Sequence, residues 1–194
     1  KRVPFPIIAL VGYTNAGNSS WMRALTTSSV LVEDKLFATL DTTVRALFPA
    51  VTPQILISDT VGFIQWLPHD LVASFRSTLA EAKEASLLLH VVDASDPAFE
   101  AQLQLTLEVL DEIGVQDGNS LLVLNKVDCC DAERCSELVA RYPDALLVSA
   151  KRPKDVEELH RVIAGKFEQL LDDVSLMVPY TQTSMIGEVH KRAR

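Results

Sequence analysis

The sequence predicts an α/β fold, an open and mainly parallel sheet with helices on both faces, and three observations carry that expectation. Its short apolar runs are continuous rather than alternating, as in strands buried on both sides. Segments whose apolar residues recur at helical spacing separate these runs along the whole chain. Four polar, turn-rich motifs, beginning at Gly12, Asp59, Asn125 and Ser149, each directly follow one of the runs. They are therefore expected together at the carboxyl edge of the sheet, where such folds bind ligands.

The first strand is expected within Val3 to Val11, where Ile7-Ile8-Ala9-Leu10-Val11 is ended by Gly12. A helix should start near Asn18, with Trp21, Met22, Ala24 and Leu25 as its apolar stripe. From Thr26 to Thr43 no clear period appears, and a long irregular connection is expected, of the kind that is usually functional or mobile. Strands follow at Val44 to Phe48 and Gln54 to Ser58, with Pro49 and Pro53 punctuating the turn between them. Leu67-Pro68-His69-Asp70 has the early Pro and first-turn acid of a helix start, and Leu71, Phe75, Thr78, Leu79 and Ala82 continue it. Ser86 to Val92 is a buried strand. Ala98 to Ile113 is a helix with Leu103, Leu107, Leu110 and Ile113 on one face, stopped by Gly114. A strand at Leu121 to Leu124, a helix from Ala132 to Arg141 and a strand at Ala145 to Val148 come next. The last helix spans Val156 to Leu171, facing Leu159, Val162, Ile163, Phe167 and Leu170 inward.

A length of 194 residues suits one domain with a short overhang, and 48% apolar with 23% charged residues is ordinary for a globular protein. The formal net charge of −8 argues against binding DNA or RNA through a broad basic surface. The basic cluster His190-Lys191-Arg192-Arg194 is terminal and reads as an exposed tail. No apolar run reaches the ~18 to 20 residues needed to span a bilayer, and no secretory architecture opens the chain. A cytoplasmic monomer with no membrane partner is expected. Because the chain begins at Lys1 rather than Met, it is expected to be an excised piece. Cys129, Cys130 and Cys135, odd in number and unlike a zinc knuckle in spacing, are expected as reduced thiols without metal.

The motifs carry the chemistry. In G-x-x-x-x-G-K-[ST], backbone N–H groups cradle phosphates, a Lys reaches the β/γ-phosphates and a hydroxyl holds Mg²⁺. Gly12, Gly17 and Ser19 fall on that pattern, with Tyr13, Thr14, Asn15 and Ala16 as the loop between and Ser20 following. Position 18 does not: it is Asn18. Asp59-x-x-Gly62 places a carboxylate where it can hold a Mg²⁺ water shell and a glycine N–H where a γ-phosphate can approach closely. Asn125-Lys126-x-Asp128 is more diagnostic, because the Asp128 carboxylate can accept two side-by-side hydrogen bonds, the geometry of guanine N1–H and its 2-amino group and not of adenine. Ser149-Ala150-Lys151 would close over the base and offer backbone N–H to the guanine oxygen. The ligand expected from the four together is GTP or GDP with Mg²⁺.

The sequence resembles the translation-factor-like GTPases and, more narrowly, the HflX family. The matching stretches are Val11 to Gly17, Asp34 to Asp41, Asp59 to Ile64, Leu67 to Leu71, Phe75 to Leu79, Leu89 to Pro97 and the motifs at Asn125 and Ser149. The resemblance implies a three-layer Ras-like P-loop GTPase fold over residues 1–173, the start of a truncated C-terminal domain at 174–194, and an N-terminal domain that is absent. It implies a switch I within about Val30 to Thr43 and a switch II from Asp59 to about Asp70. Thr39 is the switch Thr expected to reach Mg²⁺ and the γ-phosphate, with Thr42 and Thr43 as alternatives. Phe63 stands after Gly62, where many GTPases carry a water-orienting Gln. Asn15 matches a loop Asn that binds K⁺ in some relatives, the alternative being a loop-stabilising hydrogen bond. His69 is expected on the surface or as a cap, with contact to the attacking water as the other reading. Family members act on the large ribosomal subunit, which is thus the partner implied for the full-length parent.

Two departures stand against the resemblance. Asn18 removes a charge-assisted phosphate contact, a loss of roughly 1.5–3 kcal/mol, and a transition-state donor typically worth on the order of 10²–10³ in rate. Lys151-Arg152-Pro153-Lys154 stands where relatives usually carry a Gly-containing loop. The expected function is a guanine-nucleotide-binding GTPase whose hydrolysis is weakened by Asn18. The alternative is a pseudo-GTPase, a ribosome-interacting module without nucleotide cycling. An adenine-nucleotide site is a third reading, disfavoured by Asp128.

Overall fold

The computed structural model describes residues 5–31, 43–59, 83–112, 114 and 119–169. In chain order these form β1 (Ile7–Gly12), α1 (Asn18–Leu25), β2 (Thr26–Leu31), β3 (Thr43–Leu47), β4 (Leu56–Asp59), β5 (Leu87–Asp93), α2 (Phe99–Glu112), β6 (Ser120–Asn125), α3 (Ala132–Arg141), β7 (Leu146–Leu147) and α4 (Pro153–Glu168). One seven-stranded sheet in the order β2-β3-β4-β1-β5-β6-β7 runs through the molecule. Pairing is parallel from β4 through β7 and antiparallel for β2 with β3 and β3 with β4.

The continuous apolar runs serve both faces of this sheet. Ile8 and Leu10 of β1, Leu87, Leu89 and Val91 of β5, and Leu121 and Val123 of β6 pack with Trp21, Met22 and Leu25 of α1 and Leu159, Ile163 and Phe167 of α4. The alternate residues look the other way. Ala9, Val11 and Leu88 meet Leu110 of α2, while Val92 and Leu124 meet Phe99 and Leu103 of α2 and Leu138 of α3. A strand that must be apolar at every position is what a sheet sandwiched between helix layers requires, and the expected three layers are present.

The structure departs from expectation in places: Leu107 of α2, expected on the apolar face with Leu103 and Leu110, is exposed. Thr26–Leu31 is a strand rather than the start of an irregular connection. It leaves α1 without a break: Thr26 is extended, and its hydroxyl donates to the Met22 carbonyl at 2.6 Å. Pairing with β3 runs through Thr26↔Leu47 and Leu31↔Arg45, with a register shift between them. An edge strand has a neighbour on one side alone, so its β-favouring Thr and Val suffice without an apolar run or clean alternation. α4 likewise begins at Pro153, ahead of the expected Val156, because Pro suits the first helical turn. The expected helix through Leu71 to Ala82, Thr39 and Thr42 of switch I, Gly62, Phe63 and His69 of switch II, and the segment 174–194 lie outside the described residues. No helix among the described residues is long and apolar enough to cross a membrane.

Among the described residues His90, in the middle of β5, is the one ionisable group buried in the strand core, and its Nε2 has no hydrogen-bond partner. Burial pushes its pKa from 6.5 down to about 4. Above pH 6.5 the ring is neutral whether folded or unfolded and adds no pH dependence. As pH falls below that value, the unfolded chain takes up a proton that the folded chain refuses, and stability is lost. Chemical denaturation should show about 2 kcal/mol lost from this group between pH 7.5 and pH 5. His90→Leu should abolish that component, so the pH dependence of the two proteins should differ by this amount.

Candidate functional site

β1 ends at Gly12, which must be glycine because β5 lies too close for a side chain: a Cβ there would sit 2.3 Å from the Val91 carbonyl oxygen. The chain then turns, with Ala16 N–H donating to Tyr13 O at 3.1 Å and Asn15 in the left-handed region at φ 66°. Gly17 follows at φ 111°, where a Cβ would lie 2.2 Å from Asn125 Nδ2. Positive φ and close approach both demand glycine at that position. Gly17 O accepts from Ser20 and Trp21 N–H at 3.0 Å to start α1. The N-terminal N–H groups of a helix lack intrahelical partners, and together with the helix dipole they favour an anion at this end.

Asn18 opens α1 from a buried position, 9% exposed. Its side chain folds back toward β1, so that a Cβ on Gly12 would be 3.1 Å from Asn18 Oδ1. That oxygen is buried without a hydrogen-bond partner. The amide is uncharged and much shorter than a lysine side chain, so it supplies no ammonium to the loop. Ser19, Thr14, Asn15 and Ser20 are exposed along the same loop, with Tyr13 and Gly17 partly covered and Ala16 buried.

Across the loop stands β4, ending at Asp59. The Ser19 hydroxyl donates to Asp59 Oδ2 at 3.5 Å. Burial raises the Asp59 pKa, opposed by that hydroxyl and by the charge of Arg45. A hydroxyl and a desolvated carboxylate side by side are hard oxygen donors that fit Mg²⁺. A divalent cation there would reverse the effect of burial and keep the carboxylate ionised. Thr39, the third residue expected to hold Mg²⁺, and Gly62 lie outside the described residues; Thr43, one of the alternatives, is the first residue of β3.

The motifs that begin at Asn125 and Ser149 meet this loop through Asn125, at the end of β6. Its Nδ2 donates to the Ala16 carbonyl at 2.8 Å, and its Oδ1 accepts from Ala150 N–H at 3.2 Å. One buried side chain thus ties together three loops far apart in sequence. Lys126 follows at φ 62° and turns the chain into a short 3₁₀ segment, Val127–Cys129. Asp128 Oδ1 accepts from the Ser149 hydroxyl at 2.6 Å, and Oδ2 lies 3.4 Å from Lys151 Nζ. The Ser149 hydrogen bond, assisted by Lys151 and opposed by partial burial, lowers the Asp128 pKa and keeps it charged. Ser149 is itself held, its N–H donating to Asp155 of α4 at 2.8 Å and its hydroxyl accepting from Lys151 N–H at 3.2 Å. Pro153 therefore acts in the helix start that brings Asp155 to Ser149.

The predicted residues Gly12 to Ser20, Asp59, Asn125, Lys126, Asp128 and Ser149 to Lys151 thus share one sheet edge. Two contributors were missed by sequence reasoning. Asp93 ends β5 opposite Asn125 and pairs with Lys126, and Asp155 fixes Ser149. The position of Asp93 after a buried strand, level with the other motifs, was the available signal. Cys129, Cys130 and Cys135 are free thiols.

Residues 7–126 match a family model described as 50S ribosome-binding GTPase. The chain is 59% identical over 187 residues to the GTPase HflX of Gluconacetobacter diazotrophicus, covering 96% of this chain and 42% of that protein. It is 41% identical over 193 residues to the GTPase HflX of Magnetococcus marinus, covering 100% and 45%. The chain thus spans less than half the length of these curated relatives. Among solved structures, a GTP-binding protein from Sulfolobus solfataricus in complex with GDP is similar at 30% identity and a TM-score of 0.68, over 86% of this chain and 53% of that one. The G domain of the T. maritima FeoB protein, at 22% identity and a TM-score of 0.59 over 83% and 98%, shares the fold alone. The three-layer sheet is the Ras-like P-loop GTPase fold. With a family model matched over well over half its residues and relatives matched over nearly all of them, the chain belongs to the HflX family of GTPases.

Proposed function

We propose that this chain is the guanine-nucleotide-binding G domain of a ribosome-associated GTPase that hydrolyses GTP to GDP and phosphate, with hydrolysis weakened by Asn18. The observation that carries the reading is the junction at Asn125, whose side chain joins the phosphate loop at Ala16 to the base loop at Ala150, beside an ionised Asp128 set by Ser149. A phosphate cradle and a carboxylate suited to guanine N1–H and its 2-amino group thereby form one site. Mg²⁺ at Ser19 and Asp59, and K⁺ beside Asn15, belong to the same proposal. Bound Mg²⁺ would neutralise charge on the phosphates, while Ser19 and Asp59 would hold it. The large ribosomal subunit as partner of the whole protein is supported by the description of the matched family model.

Calorimetry with GDP, GTP and ATP tests the binding reading, and a fold-intact protein with no heat from GDP at millimolar concentration would overturn it. Asp128→Asn offers an amide donor and acceptor where the base presents two donors. It should lower GDP affinity at least about tenfold, since a charge-assisted hydrogen bond is worth roughly 1.5–3 kcal/mol. Xanthosine diphosphate, which offers a donor and an acceptor on that edge, should gain affinity on the same protein. The short, buried and uncharged Asn18 also supports a second reading, the pseudo-GTPase. Multiple-turnover hydrolysis with and without ribosomal subunits separates the two: binding with no turnover under either condition selects the second.

A further inference from the structure

The Lys126–Asp93 pair differs from the other ion pairs near the site. Lys126 Nζ lies 2.6 Å from Asp93 Oδ2, with the side chains only 24% and 15% exposed. By contrast, the Lys151–Asp128 pair is 3.4 Å long with Lys151 76% exposed, and exposed pairs contribute little. Asp93 is anchored on its other oxygen, where Oδ1 accepts from Ser95 N–H at 3.0 Å and from the Ser95 hydroxyl at 2.6 Å. Although burial opposes it, these bonds and Lys126 keep the Asp93 pKa low and its carboxylate charged. The strands hold the acid in place, since Asp93 of β5 is in register with Asn125 of β6 and Ala94 N–H donates to the Asn125 carbonyl at 2.9 Å.

Lys126 itself is in a conformation that a side chain disfavours, φ 62° and ψ 30°. This left-handed residue is the pivot between Asn125, which clamps the loops, and Asp128, which faces the base. Its carbonyl accepts from Cys129 N–H at 2.9 Å, closing the turn that presents Asp128. A strained pivot needs an outside restraint, and the tether to Asp93 is one.

We propose that Asp93 is a positioning residue of the base site: its carboxylate, fixed by Ser95, tethers Lys126 Nζ and pins the left-handed turn from which Asp128 is presented. Asp93 touches no nucleotide and acts through Lys126. The proposal rests on the guanine-nucleotide reading above. It has a signature that general loosening lacks, because inosine lacks the 2-amino group that one Asp128 oxygen reads. The ratio of GDP to IDP affinity therefore reports how Asp128 is set, independently of the phosphate loop.

The test measures GDP and IDP dissociation constants by calorimetry for the chain as given and for Asp93→Asn, Lys126→Met, the double variant and Ser95→Ala. Asp93→Asn, nearly isosteric, should weaken GDP about tenfold, the scale of one lost charge-assisted bond, and should lower the GDP-to-IDP ratio. The double variant should be no weaker than the weaker single one, as coupled residues are non-additive. Ser95→Ala should move affinity and ratio the same way by less, and it serves where Asp93→Asn fails to fold. Unchanged GDP affinity, equal weakening of GDP and IDP, or multiplicative effects of the two substitutions would overturn the proposal. Absence of GDP binding by the unaltered chain would instead overturn the nucleotide reading on which it stands.

Discussion

Asn18→Lys is expected to raise multiple-turnover GTP hydrolysis by on the order of 10²–10³, the usual worth of a preorganised donor aimed at charge that develops in the transition state. GTP affinity should rise by about one to two orders of magnitude, from a charge-assisted contact worth roughly 1.5–3 kcal/mol. Asn18 sits at the first position of α1, beside two glycines that let other backbone and side-chain groups close around the phosphate loop. Its amide oxygen is buried against Gly12 with no donor, so the Asn18 side chain puts no positive charge where the phosphates would lie. Asn18→Ala provides the control and should leave turnover within a few-fold of the unaltered chain, because the amide contributes no charge. Turnover unchanged by Asn18→Lys in a protein that binds GTP would refute the weakened-GTPase reading in favour of a domain that has lost hydrolysis for other reasons.

Asn125→Ala should be the most damaging single change to the site's architecture. It removes the donor to Ala16 O and the acceptor from Ala150 N–H, both at a residue only 2% exposed. Each buried polar group left unpaired costs about 1–3 kcal/mol, so a combined loss of roughly 2–6 kcal/mol is expected. For a domain of this size that is a fall in melting temperature of roughly 4–24 °C. GDP affinity should fall along with it, since the phosphate loop and the Ala150 loop would no longer be joined. Asn125→Asp keeps the acceptor for Ala150 N–H but sets a buried carboxylate oxygen against the Ala16 carbonyl, and should be no milder than Asn125→Ala. A melting temperature unchanged in Asn125→Ala would show that the loops are held by other contacts.

Much of this site is legible in the amino-acid sequence. The apolar runs at Ile7 to Val11, Leu87 to Val92 and Leu121 to Leu124 announce strands covered on both faces, and the helices on each side of the sheet confirm it. The glycines at 12 and 17 and the carboxylates at 59 and 128 are readable because their chemistry is local to a motif. The strand Thr26–Leu31 is not readable, since its Thr-Thr-Ser-Ser start shows neither a continuous apolar run nor clean alternation. Asn125 is readable as part of a motif expected to read a base, yet what its side chain is observed to do is bind two other loops.

By itself, the sequence determined the layer architecture, the strands and helices other than Thr26–Leu31, and the placement of four motifs at the strand ends, because each follows from periodicity and neighbouring residue types. Only the tertiary structure decided the partnerships. Asn125 reaches Ala16, 109 positions away in sequence; Lys126 reaches Asp93, 33 positions away; and Gly12 must be glycine because of a carbonyl on β5. Such contacts depend on which strands lie side by side and in what register. No local pattern carries that information, since it arises when separate segments bury their apolar faces against one another.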